Sequence, residues 1–421
     1  MKLKKPRGTQ DLLGKYMEKW SSVEERVTGI LRRYGYSEIR TPIFEMSDLF
    51  VRTVGESSDI VTKEMYIFND KKGRSLTLRP ENTAPVMRAY LENGLQRQGG
   101  INRLYYIGPM FRYDRPQAGR YRQFHQIGAE VIGSSNPALD AEIINLSLDI
   151  YREFGFSSLK VKLNSVGCMK CRGKFMNLLE EKLKEYKGEL CDDCLKRADK
   201  NPFRVFDCKK CQSVKKKLPV IADHLCAECG EHFDKLCAIL DQMGIDYILD
   251  PLLVRGLDYY TKTAYEIIHP ELGAQSALCG GGRYDGLADE LAGVSIPAVG
   301  FSAGMERLMQ ILPNELDDEK PGPPGAYFIV FDEECSLQAM ILADRLRSAG
   351  FPAYVDLSMR SVKKQLKSAS GRGDDFAVFV GQKEISDKEA ALKDMKSGNQ
   401  VTVPFEKLVS YFSEKGETGI E

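Results

Sequence analysis

At 421 residues, with 43% hydrophobic and 29% charged residues, the chain has the make-up of a soluble globular protein of two or three domains. Its 60 Lys+Arg balance 60 Asp+Glu, which argues against a bulk electrostatic nucleic-acid binder while leaving room for local basic patches. The longest apolar runs fall far short of the ~18 residues of a membrane span. The basic start MKLKKPRGTQDLL has no apolar signal core behind it, so no membrane partner and a cytoplasmic location are expected.

Residues 11–34 read as a helix carrying Leu12, Leu13, Met17, Trp20, Val27, Ile30 and Leu31, ended by Gly35. SEIRTPIFE (37–45) reads as a strand interrupted by Pro42, and 66–80 as a hairpin. At the end of that hairpin, LRPENT places Glu81 where a carboxylate could hold an ammonium group or cap the next helix. FRYDRPQAGRYRQFHQIGAE (111–130) reads as a strand, a basic loop and a return strand. On the return strand Phe124, Gln126, Gly128 and Glu130 share one face, and His125, Ile127, Ala129 and Val131 the other. The first face suits either a flat polar ligand or solvent. Four arginines, 112, 115, 120 and 122, crowd the loop, and their mutual repulsion points to a bound anion.

A helix is expected over 140–154, closed by Gly155, and a strand over 160–167. The following segment changes character. Of eleven cysteines, eight form four C-x-x-C pairs: Cys168/Cys171, Cys191/Cys194, Cys208/Cys211 and Cys226/Cys229. Such spacing in a long chain favours metal over disulfides and allows two Cys₄ zinc sites, each from two pairs. Three pairings are possible, and reduced thiols are the alternative. Over 168–237 there are 16 Lys/Arg against 12 Asp/Glu, as in a separate small domain.

From 253 to 312 the pattern reads strand, Gly-rich turn, helix, strand, helix. LVRGLDYYTKT sets Arg255 beside Tyr259 and Tyr260. CGGGRYDGL lacks the Lys-Ser/Thr of a phosphate loop, so its glycines are expected to allow close backbone approach. GFSAGMERLMQIL puts Arg307 early in a helix, where it can stack on a purine or pair with phosphate. PNELDDEKPGPPG (313–325) is a linker. Beyond it, alternating apolar strands and helices suggest a compact α/β domain with a mostly parallel sheet. There Arg360, Lys363, Lys364 and Lys367 fall on one helical face, against a background of 13 Lys/Arg and 15 Asp/Glu over 326–421.

RTPIFE, FRYDRPQAGRYRQFHQIGAE and GFSAGMERL resemble the three signature motifs of class II aminoacyl-tRNA synthetases. LVRGLDYYTKT and CGGGRYDGL resemble the two signatures of the histidyl-tRNA synthetase family, and PRGTQD and LRPENT fit it too. The resemblance spans essentially the whole chain. It implies an α+β catalytic domain over 1–320, built on an antiparallel sheet flanked by helices and interrupted by the cysteine-rich insertion at 168–240. An α/β anticodon-binding domain over 326–421 would follow.

It also implies a homodimer with the segment around Pro42 at the interface, and L-histidine, tRNA(His) and ATP with Mg²⁺ as substrates. Arg112, Arg120, Phe124 and Arg307 would bind ATP. Glu81, Asn82, Thr83, Arg112, Gln126, Glu130, Arg255, Tyr259 and Tyr260 would surround histidine. Arg255 and Arg112 would serve catalysis. Arg115 and Gln117 would face the acceptor end of tRNA, and the basic helical face its anticodon. Zinc is not a general requirement of the family, so the cysteines stand as this chain's own feature. Two alternatives remain open at this point: a non-catalytic regulatory relative of the same fold, and a class II enzyme for another amino acid.

Overall fold

The computed structural model describes residues 3–56, 58–115, 120–208, 210–269, 277–313 and 323–417. Two units separate along the chain, Met1–Leu316 and Asp317–Glu421.

The first unit is built on an eight-stranded sheet. Its spatial order is Ser37–Glu38, Asn102–Phe111, Gln123–Ile132, Ala298–Gly304, Ala277–Arg283, Thr261–Ile268, Lys160–Ser165 and Tyr247–Leu249. The six central strands run antiparallel, and the two short outermost strands pair parallel to their neighbours. The alternation read from the return strand holds. Ile127, Ala129 and Val131 enter a core with Trp20, Val27, Ile144, Leu236 and Leu308, from helices packed on one face. Tyr106 and Met110 lie on the other face, with Val86 and Tyr90 of the helix Thr83–Glu92.

Several expectations change. The first helix spans Lys15–Arg33, because Gly14 sits at φ 58 and breaks the turn ahead of it; Leu13 is exposed. Pro42 divides the segment around it between two sheets. Ser37–Glu38 joins the main one, while Phe44–Met46 pairs with Ser75–Leu78, and that strand with Tyr66–Asn69. The glycine-rich run at 279–283 is no turn but a central strand. A side chain at Gly281 would meet the Gly300 carbonyl, the Tyr265 ring and the Phe301 Cβ, so glycine is needed for neighbours to close in.

The cysteine-rich segment is helical: Met169–Glu185, Asp192–Lys200, Gln212–Lys215 and Ala227–Gln242, joined through short 3₁₀ segments. The last of these helices serves two cores. Cys229 packs among the cysteines, while Leu236 and Leu240 pack under the main sheet.

The second unit carries a five-stranded sheet in the order Ala353–Asp356, Ala326–Val330, Phe376–Val380, Glu389–Asp394, Gln400–Pro404. The first three strands are parallel and the last two antiparallel, so the sheet is mixed. The strand Glu389–Asp394 escapes propensity because it has no β-branched residue; only the alternating burial of Ala390 and Leu392 marks it. Most of the 313–325 linker lies outside the described residues. Among those described, no helix is long and apolar enough to cross a membrane.

Candidate active site

Sheet register brings distant glycines into one strip. Tyr106 lies opposite Gly128, Gly128 opposite Ser302, Ser302 opposite Gly280, and Gly280 opposite Glu266. Where side chains shrink, ligand or large neighbours can approach the backbone. The room over Gly128 is taken by the Tyr106 ring, and the room over Gly280 by the Arg255 guanidinium. The sheet there becomes a floor on which Arg255 lies flat.

Above this floor is a cavity of about 560 Å³, within the range of small-molecule sites. Arg112, Arg120, Phe124, Gln126, Arg255, Tyr260 and Arg307 all line it, drawn from three separate stretches of chain. The Arg112 guanidinium lies 5.3 Å from the Phe124 ring centre and donates from Nε to the Pro80 carbonyl at 2.8 Å. Arg307 is anchored on the Ala277 carbonyl and Arg120 on Asp114, at 3.1 Å. Burial and the nearby Arg120 and Arg112 pull the Arg307 pKa below its ordinary value. Guanidiniums gathered so closely are mutually repulsive until an anion of several charges arrives.

Arg255 is paired with Glu266. Burial is the largest single influence and opposes its charge, but Glu266, Tyr260 and Cys279 together raise its pKa above the ordinary value, so it stays protonated. Its Nε and the Gln126 Oε1 are buried without a hydrogen-bond partner among the described residues. Buried polar atoms are rarely left so, and both belong to residues that line the cavity. The sequence reading missed Glu266. Its signal was present, as the one carboxylate in the strand Thr261–Ile268.

The other residues expected around an amino acid lie behind the cavity wall. Glu130, 1% exposed, accepts from Thr83 Oγ1 at 2.8 Å, from Tyr106 and from Tyr284. Burial raises its pKa to about 8, the hydroxyl donors opposing, so it is mostly protonated at pH 7. Tyr259 packs against Tyr260 and Tyr284. Glu81 caps the helix Thr83–Glu92, accepting from the backbone N–H groups of Thr83 at 2.7 Å and Ala84 at 3.1 Å. Asn82 turns its oxygen to Thr41 and Arg79.

Arg115 is exposed at the mouth of the loop; Gln117 lies outside the described residues. In the second unit Lys363, Lys364 and Lys367 are exposed along the helix Val362–Arg372. Arg360 precedes that helix and is bound to Asp356 at 2.9 Å, so it is less free than its spacing suggested.

The cysteines settle into two groups: Cys168, Cys171, Cys226 and Cys229, and Cys191, Cys194, Cys208 and Cys211. Within each, all sulfurs lie within 4.8 Å of one another. The sulfurs lie 3.8 Å apart for Cys168–Cys171 and Cys168–Cys226, and 3.7 Å for Cys191–Cys208. Four sulfurs tetrahedrally placed at ~2.3 Å from one zinc stand about 3.8 Å apart. Backbone N–H groups also point at sulfur, from Cys191 to Cys211, Lys210 to Cys208 and Cys226 to Cys171. Donors so placed favour thiolate, the form that binds metal. The groups could therefore each hold a metal ion.

Residues 8–308 match the family described as histidyl-tRNA synthetase, and 325–415 match the anticodon binding domain. The histidine–tRNA ligase of Caldanaerobacter subterraneus subsp. tengcongensis is 46% identical over 411 residues, 97% of this chain and 99% of that protein. That of Natranaerobius thermophilus is 47% identical over 408 residues, 96% and 97% of the two. The crystal structure of apo S. aureus histidyl-tRNA synthetase superposes with a TM-score of 0.81 at 38% identity, covering 98% of this chain and all of that one. Matches of this length, on a sheet whose strip of glycines seats Arg255 beneath a cluster of guanidiniums, place the chain in the histidyl-tRNA synthetase family.

Proposed function

We propose that this chain is an ATP-dependent histidine–tRNA ligase. The observation that carries the reading, beside family membership, is the cavity in which Arg112, Arg120 and Arg307 converge while Arg255 and Gln126 keep unpaired polar atoms. Histidine's carboxylate, already ionised at pH 7, attacks the α-phosphorus of ATP; pyrophosphate leaves and histidyl-adenylate forms. That step needs no general base. It needs alignment and fixed positive charge where negative charge develops. Arg255 and Arg112 supply the charge at the α-phosphate, Arg120 and Arg307 hold the polyphosphate, and Phe124 stacks on adenine. Mg²⁺ arrives with ATP as part of the substrate complex. The terminal ribose hydroxyl of tRNA(His) then attacks the adenylate carbonyl and AMP leaves. Gln126, Glu130, Tyr259 and Tyr260 enclose the imidazole, with Glu81, Asn82 and Thr83 on the amino-group side. Exchange of pyrophosphate into ATP, assayed with each of the twenty amino acids, should respond to histidine alone; response to another, or to none, would overturn the reading.

Glu130 makes this pH-dependent. With its pKa at about 8, the free enzyme must ionise it before it can accept a substrate N–H. KM for histidine should therefore fall roughly tenfold from pH 6.5 to 8, and Glu130→Gln should flatten that slope. The sign for folding is opposite. A carboxyl whose pKa is higher folded than unfolded weakens the fold progressively as pH rises from the ordinary carboxylate range toward 8.

The second unit takes the anticodon, with Lys363, Lys364, Lys367 and Arg360 toward the tRNA backbone; Arg115 and Gln117 face the acceptor end. Replacing Lys363 and Lys367 by alanine should weaken tRNA binding and lower the salt slope by about 1.5. Exchange without tRNA should be unchanged.

The chain works as a cytoplasmic homodimer in this reading. The apolar side chains Ile43, Phe44, Met46, Ile67 and Phe68 are exposed together around the small three-stranded sheet that follows Pro42, which suits a second copy of the chain. Each cysteine group holds one structural zinc, on the strength of its sulfur spacing.

A further inference from the structure

The loop that carries Arg255, Tyr259 and Tyr260 has no regular structure between Leu253 and Tyr260. Its backbone is held from outside. Arg204, 7% exposed, donates to Asp258 Oδ1 from Nε at 3.1 Å and from Nη2 at 2.8 Å, and to the Gly256 carbonyl at 2.9 Å. Arg172 donates to the carbonyls of Val166, Asp258 and Tyr260. Two guanidiniums thus fasten carbonyls at 256, 258 and 260, bracketing the side chains that face the substrate.

Both arginines belong to the cysteine-rich segment, one to each sulfur group. Arg172 directly follows Cys171 in the helix Met169–Glu185. Arg204 lies in the turn Pro202–Asp207, just ahead of Cys208, and its neighbours Val205 and Phe206 are buried in the core that the cysteines form. A third link joins Arg197 to Asp59 at 3.1 Å, beside Ile60 and Glu64 of the cavity wall. Asp258 in turn is wedged over Gly55, where any side chain would collide with it.

We propose that the two metal-binding cysteine groups position the histidine-recognition loop through Arg172 and Arg204, making Arg204 a positioning residue for histidine activation. This rests on the ligase reading given above. ATP is held mainly by Arg112, Arg120, Phe124 and Arg307, none of which touches the cysteine-rich segment in the contacts described. The coupling should therefore be selective for the amino acid.

The test compares Arg204→Met, Arg204→Lys, Asp258→Asn and the Arg204→Met/Asp258→Asn double variant with the parent. ATP–pyrophosphate exchange is measured with L-histidine and ATP varied separately, alongside zinc content and calorimetric binding of L-histidine. Arg204→Met should lower kcat/KM for histidine at least tenfold, keep KM for ATP within twofold, and retain two zinc ions per chain. Arg204→Lys should recover part of the loss. Asp258→Asn should show the same selectivity with a smaller loss, and the double variant should be no worse than Arg204→Met, which already removes the Asp258 and Gly256 contacts. A folded, zinc-loaded Arg204→Met with near-parental histidine parameters would overturn the proposal. So would equal rises in KM for histidine and ATP, or additive losses in the double variant. Should Arg204→Met fail to fold, Asp258→Asn carries the same criteria from the other side of the contact. A parent enzyme without histidine-dependent exchange would instead overturn the ligase reading, before any substitution is made.

Discussion

Arg255→Ala is expected to cut histidine-dependent ATP–pyrophosphate exchange by about a hundred- to a thousand-fold, the loss typical of one preorganised donor at a site of developing charge. Arg255 is rigid for reasons visible around it. Glycine at 280 lets its guanidinium lie on the sheet, Glu266 pairs with it, and the Tyr260 ring centre is 5.9 Å away. Alanine would also strand Glu266, whose side chain is 25% exposed, and some stability would go with it. The Arg255→Ala/Glu266→Gln pair removes that stranded charge. If the double variant melts like the parent and still lacks exchange, the loss belongs to chemistry. Near-normal exchange in either folded variant would remove Arg255 from the reaction.

Cys208→Ser should have a comparable effect by another route. All four cysteines of its own sulfur group belong to the small core of its domain, beside Phe175, Leu179, Val205 and Phe206. Small domains of that kind lean on metal, and zinc binding is then folding energy, on the order of 10 kcal/mol in finger-sized units. Metal content should drop from two zinc ions per chain to one, the melting transition should broaden, and exchange should fall with the loop that Arg204 fastens. Cys237→Ser, outside both groups, is the control and should keep both ions. A Cys208→Ser protein that retains two zinc ions, or a parent purified without chelator that holds none, would refute the assignment.

Much of this site could be read before any coordinates. The face shared by Phe124, Gln126 and Glu130 follows from strand alternation alone, and sheet pairing preserves it. What that face looks toward does not follow, because it depends on partners far along the chain. The space at Gly128 belongs to Tyr106 rather than to a ligand, and Glu130 faces Thr83 and Tyr284. The run CGGGR reads locally as a turn; it is a strand because its two neighbours, Ala298–Gly304 and Thr261–Ile268, pair with it from either side. Four C-x-x-C pairs are legible as candidate metal ligands, yet their partnership is set by the helices that follow Cys168, Cys191 and Cys226 and bring the sulfurs together. Strand Glu389–Asp394 was hidden by its charged ends for the same reason: pairing on both sides, not propensity, makes it a strand.

The strand order of the main sheet also bears on how the chain comes to exist. Gln123–Ile132 finds its inner neighbour only in Ala298–Gly304, roughly 165 residues later in translation. A ribosome adding ~5–20 residues each second needs about 10–30 s to deliver it. Throughout that interval a strand rich in Ile127, Ala129 and Val131 offers a bare hydrogen-bonding edge, the template on which nascent chains stick to one another. The cysteine-rich segment emerges within the same interval and can gather its two sulfur groups in a core of its own, a folded stopper between an unfinished sheet and the strands that complete it.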